Sequence, residues 1–180
     1  MKKLFLIAAI LSASVVANAQ FKFGVKAGAH LSHMNYTDDK AIFGFNAGVL
    51  GQVKFANFAV QPEVLFSMQG TGAEGVSGSV FKFNYINIPV MFQYFLIPGL
   101  AIEAGPQVGI LLSAKMLGLD AKKACNTIDI AAAVGASFEL PVIPLGFFAR
   151  YTLGFTGIIK DAGDDAGRNH VMQLGAFFKF

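Results

Sequence analysis

From residue 21 onward the chain alternates. Phe21, Phe23, Val25, Ala27, Ala29 and Leu31 take one side of the first segment, and Lys22, Gly24, Lys26, Gly28, His30 and Ser32 the other. A repeat of two residues is the period of a β-strand whose faces meet different surroundings. The pattern returns near 42–54, 58–69, 81–95, 100–113, 127–140, 145–156 and 170–180, which predicts eight strands. No segment has a helical period, and after residue 20 no run of 18 apolar residues offers a spanning helix.

The two faces are unlike in an unusual way. One is Phe, Val, Ile, Leu and Ala. The other is no ordinary solvent face, because it holds ten glycines (Gly24, Gly28, Gly44, Gly48, Gly105, Gly109, Gly135, Gly146, Gly154, Gly175) with a few amides and charges. Charged residues are 14% of the chain, against roughly 25% in ordinary soluble domains, while apolar residues reach 54%. An eight-stranded barrel has an interior that side chains just fill, and glycine there leaves room for larger neighbours. The apolar face is therefore expected to look outward to lipid and the glycine and polar face inward. Pro62, Pro89 and Pro106 fall within predicted strands and predict local bulges, since proline has no N–H for the ladder.

Connections alternate as well. Segments 34–41, 70–79, 114–126 and 157–169 are long, whereas 56–57, 97–99 and 141–144 are short. With eight strands, all long loops fall at one end. The expected fold is all-β: an eight-stranded antiparallel up-and-down transmembrane β-barrel, with short periplasmic turns and four longer extracellular loops. Phe21, Phe55, Phe58, Phe95, Phe178 and Phe180 lie near the short-turn end, where an aromatic girdle belongs.

The opening "MKKLFLIAAILSASVVANAQ" has a basic start, an apolar stretch and a small-x-small site. It predicts a signal peptide over 1–19, cleaved between Ala19 and Gln20, and a barrel domain over 20–180. Export of such a barrel places it in the bacterial outer membrane. Lys2 and Lys3 supply two of the three net positive charges, so the mature chain carries about +1 and offers no basis for nucleic-acid binding. Cys125, the only cysteine, excludes an internal disulfide and reads as an incidental loop thiol in the polar stretch "KKACNT".

The closing strand ends "QLGAFFKF". Gln173, Gly175, Phe178 and Phe180 resemble the end signal of bacterial outer-membrane barrels, which implies recognition by the barrel-assembly machinery. The stretches "FKFGVKAGAHLSHMNY", "VQPEVLFSMQG", "NYINIPVMFQYF", "IEAGPQVGILLSA" and "RYTLGFTGI", in that order, resemble the PorT-like outer-membrane β-barrel family. The resemblance implies an eight-stranded barrel in the outer membrane. Some of that family are linked to protein secretion; the fold and location carry over here, not the secretion role.

Three constellations bear on function. By parity Lys26, Lys54, Glu63, Glu103, Glu139, Arg150 and Lys179 point inward and should pair, because unpaired buried charge is costly. Arg150 is the natural centre, since its planar fork can bridge two carboxylates. His33 and His170 end and begin strands that adjoin if the barrel closes, with Asp38, Asp39, Asp161, Asp164 and Asp165 in the adjoining loops; they are weak candidates for a metal site. Ser113 and His30 share the inward face by parity, but no base or orienting acid is secured for a nucleophile, so no enzyme is expected. No phosphate loop or zinc spacing is present, and no cofactor is implied. The expected function is a structural or surface-binding role through the extracellular loops, with outer-membrane lipid and lipopolysaccharide as surroundings. A narrow conduit or secretion accessory is the alternative, and a lipid-acting enzyme a further one. Oligomeric state is not encoded in any feature noted.

Overall fold

A computed structural model describes residues 20–34, 39–73, 81–116, 119–122, 125–157 and 168–180. The expected signal peptide with Ala19 lies outside the described residues, as do Asp38, Asp161, Asp164 and Asp165. Nine strands follow one another: β1 (Gln20–Met34), β2 (Asp39–Phe55), β3 (Phe58–Ala73), β4 (Phe81–Ile97), β5 (Leu100–Met116), β6 (Leu119–Asp120), β7 (Ile128–Glu139), β8 (Leu145–Gly157) and β9 (Arg168–Lys179). β6 is two residues folded back on β5. The other eight form the wall, each antiparallel to its neighbours, and β1 pairs with β9 to close the ring. The expected eight-stranded antiparallel barrel is the fold observed.

The closing seam runs from Gly24 opposite Lys179 to Met34 opposite Asn169. Beyond it, the Phe23 N–H donates to the Phe180 carbonyl at 3.3 Å and the Phe180 N–H to the Phe23 carbonyl at 2.8 Å. The wall strands run 12 to 17 residues, longer than the roughly 9–11 that cross a bilayer with tilt, so they continue past the hydrocarbon. For that reason Asp39 and Lys40, expected in a loop, are already in β2. The short turns lie where the sequence places them. Phe55 faces Phe58 across Ala56 and Asn57, with Ala56 in the left-handed region (φ 50°) that a two-residue hairpin demands.

The faces divide as expected through most of each strand. Phe21, Phe23, Phe43, Phe45, Phe92, Phe147, Leu174, Phe178 and Phe180 are exposed on the outside, while Lys26, Asn46, Gln61, Glu63, Gln93, Gln107 and Arg150 are buried inside. One aromatic position needs correction. Phe95 does not join the girdle; it is buried, because it has the inward parity of β4. Phe177 shares the inward side of the closing strand with Gln173, Gly175 and Lys179, and is buried over Gly146, whose missing Cβ makes space for the ring.

The proline expectation also fails. Pro62, Pro89 and Pro106 would face Gly51, Glu63 and Val90, and the ladder is interrupted at these pairs, yet register is the same on both sides of each gap. A ladder can lose one N–H without gaining a residue. The register shifts fall elsewhere, at 41–45 on β2, between Asn84 and Tyr85, between Phe95 and Ile97, and between Leu153 and Gly157. On β5 the second of these inserts Leu112 as an extra residue, since Tyr85 faces Leu111 while Asn84 faces Ser113. An extra residue reverses the side taken by everything beyond it. Ala114 turns inward and is buried, and Ser113 and Lys115 turn outward.

Candidate functional site: the sealed lumen

Four wall strands send a charge to one point in the lumen. Arg150 of β8 donates through Nη1 to Glu63 Oε2 at 2.8 Å and through Nη2 to Glu63 Oε1 at 2.8 Å, a bidentate fork onto β3. It also donates through Nε and Nη2 to Glu103 Oε1 of β5, at 2.9 and 2.8 Å. Lys26 of β1 donates to Glu63 Oε1 at 2.9 Å. The side chains of Lys26, Glu63 and Arg150 are essentially sealed from solvent. Two cations and two carboxylates make the group neutral, the condition under which buried charge is tolerable.

Three glutamines extend this group. Gln61 Nε2 donates to Glu63 Oε1 at 2.7 Å, Gln93 Nε2 to Glu103 Oε2 at 2.9 Å, and Gln52 Nε2 to Gln93 Oε1 at 2.6 Å and Gln61 Oε1 at 3.2 Å. Each carboxylate thus receives an amide as well as a guanidinium. Phe148 closes the remaining side, with the Lys26 ammonium 3.8 Å from its ring centroid. The ring lies over the paired Gly28 and Gly175, where a Cβ on Gly175 would come 2.6 Å from Phe148 Cε1. Glycine at both positions is what admits the aromatic.

The remaining predicted charges sit apart. Lys179 bonds Glu139 near the periplasmic mouth, and Lys22 approaches the same carboxylate at 3.8 Å. Lys54 takes no part in either group; its ammonium lies 3.7 Å from the centroid of the buried Phe95 ring. The seven expected partners therefore form a central group of four, a rim pair and one cation over an aromatic face. A single network would require Lys54 and Glu139 to climb from the mouth to Arg150, and nearer partners meet them first.

Above the charge group the lumen carries neutral polar contacts. His30 Nε2 donates to the Met68 carbonyl at 2.8 Å, Asn46 Nδ2 to Gln173 Oε1 at 3.2 Å, and Asn169 bonds Gln69 across the barrel from β9 to β3. Toward the extracellular end lies an apolar cluster of Phe83, Tyr85, Leu111, Ala114 and Cys125. Cys125 is thus not an incidental loop thiol. Its neighbours in sequence are polar, but the chain after β6 returns over the barrel and buries the sulfur.

The family model for the outer membrane protein beta-barrel domain matches residues 14–160. The chain belongs to that family. As an outer membrane barrel of this kind, it resides in the bacterial outer membrane. Its fold is similar to Neisserial surface protein A at 15% identity, with a TM-score of 0.61 over 88% of this chain and 97% of that one. It is also similar to Ail, the attachment invasion locus protein of Yersinia pestis, at 18% identity, with a TM-score of 0.56 over 89% of this chain and 99% of that one. At such identities the likeness is one of fold. No curated protein matches the sequence.

Within this outer membrane barrel, the other two constellations separate. His33 and His170 are direct register partners on β1 and β9, as closure requires. The His170 ring stacks near Tyr151, and three of the aspartates proposed around the pair, with Asp38, fall outside the described residues. Among the described residues no group of three or more His, Cys, Asp or Glu converges as a metal site would. Ser113 and His30 do not share a face. The Leu112 insertion turns Ser113 outward, where its Oγ accepts from Asn84 Nδ2 at 2.9 Å, while His30 stays inside on the Met68 carbonyl. Phe148, Phe95 and the linking glutamines are the site residues that sequence reading missed. Period two places the glutamines inward, but nothing in one sequence says which amide reaches which carboxylate.

Proposed function

We propose that this protein is a closed outer-membrane scaffold that holds its extracellular loops at the cell surface for binding. The single observation that supports this is the neutral Arg150–Glu63–Glu103–Lys26 group, which spans the lumen from wall to wall with its amides. A pathway for ions would have to pass a point where every charge is already matched. The outer surface and the loops then remain as the places where the protein meets other molecules. The PorT-like stretches favour a narrower grouping within the family, and the outward Phe178 and Phe180 suit an assembly signal read from the lipid side.

The test has two arms. The mature protein in a planar bilayer is expected to give no current above background; a steady current would favour the conduit reading. Surface pull-downs are then compared for the intact barrel and for a variant with segments 74–80 and 158–167 replaced by short Gly-Ser turns. Partners retained equally by both would remove the loops as the binding element.

A further inference from the structure

At the extracellular margin of the outer face two lysines stand side by side. Lys82 of β4 and Lys115 of β5 are direct register partners, and both are exposed. Next to them on the same face, Asn84 donates to Ser113. Below lie Phe43, Phe45 and Met68, all exposed, with the two rings edge to face at 5.2 Å. Ile42, Phe43, Phe45, Met68, Lys82 and Lys115 line a cleft of about 330 Å³.

Height and cost both point to an anionic occupant. From the exposed Tyr94, whose ring lies 5.0 Å from that of Phe58 at the short-turn end, up to Lys82, β4 climbs roughly 30 Å at about 3.3 Å per residue and a tilt near 40°. The apolar band of such barrels is about 25 Å tall, so the lysines stand just above hydrocarbon, at headgroup level. Like charges directly opposite on a sheet destabilise it. Here the pairing comes from the bulge at Leu112, for with uninterrupted alternation along β5 Lys115 would point into the lumen. On its other flank Lys115 has Asp120 of β6 as its register partner.

We propose that this cleft seats the phosphorylated headgroup of an outer-leaflet glycolipid, with phosphate on Lys82 and Lys115 and an acyl chain along Phe43, Phe45 and Met68. The assignment rests on the apolar face being lipid-facing, as in the scaffold reading above. Basic side chains at the membrane surface draw anionic headgroups, and an apolar wall beneath them distinguishes a lipid from a free anion.

The test is titration of the folded mature protein, in zwitterionic micelles, with bis-phosphorylated lipid A and with its phosphate-free form. The variants are K82Q/K115Q and, as an equal loss of charge at the opposite mouth, K22Q/K54Q. Lipid A affinity is expected to fall about tenfold for K82Q/K115Q and for the phosphate-free lipid, and to change less than about twofold for K22Q/K54Q. Unchanged affinity in K82Q/K115Q, or equal binding of both lipids, overturns the proposal. Competition by inorganic phosphate at concentrations comparable to the lipid would mark a free-anion site and overturn it too. Heat-modifiable gel mobility is measured for each protein. Its loss in the unmodified chain would sink the barrel reading itself, a failure separate from that of the lipid site.

Discussion

Two parts of the lumen are filled by different materials. Around Arg150 it is charge and amide, and toward the extracellular end it is Phe83, Tyr85, Leu111, Ala114 and Cys125. Both exclude water from a narrow barrel, but they fail differently. In the charged half each group is tolerable only because its partner is present, so removal of one strands the others. The apolar half depends on volume, so a modest change there loses contacts without creating an orphan. The lower half should therefore be brittle and the upper half forgiving.

The largest expected effect comes from Arg150→Met. Glu63 and Glu103 would be left with Lys26 alone, and the barrel should lose about 3–5 kcal/mol in urea unfolding from lipid vesicles. A loss under about 1 kcal/mol would erase the distinction between the halves. The paired change Lys26→Met with Glu63→Gln sharpens it, because it removes one charge of each sign and leaves Arg150 with Glu103. That double variant should cost less than Arg150→Met alone, even though it alters two residues.

Next in size is Gly175→Ala. The added methyl meets Phe148 and the neighbouring β1 backbone, and overpacking of this kind costs about 1–3 kcal/mol in the same assay. Cys125→Ala tests the forgiving half. Loss of one sulfur from the apolar cluster should cost about 1 kcal/mol, and the native thiol should react with a maleimide far more slowly folded than in denaturant. Smallest is Lys54→Gln, which removes the cation over Phe95 and should cost about 0.5–1 kcal/mol. A larger loss there would mean that Lys54 belongs with the charge group after all.

Much of this was legible from period two. Glu63, Glu103, Lys26 and Arg150 could be placed inward because each lies in a stretch where alternation is clean, and closure does the rest by bringing β3, β5, β1 and β8 around one axis. What was illegible has specific causes. In Ile110-Leu111-Leu112 every residue is apolar, so the extra residue leaves no mark on the pattern, and Ser113 was assigned by a parity that no longer holds. The prolines misled in the opposite direction. Their missing N–H suggests a bulge, but a ladder anchored on both sides bridges the gap in register. Cys125 was obscured because its packing partners are distant in sequence and near only once the wall has closed.

The seam between β1 and β9 has a bearing on how such a molecule reaches its membrane. Each of the other wall ladders joins strands that follow one another and can zip as a local hairpin. This one joins the two strands farthest apart along the chain, from Gly24 opposite Lys179 upward. Until β9 arrives, β1 presents a naked row of amides that oil will not accept. Entry into the bilayer and completion of the ring must consequently be one event, with both rims held out of the hydrocarbon until they can meet.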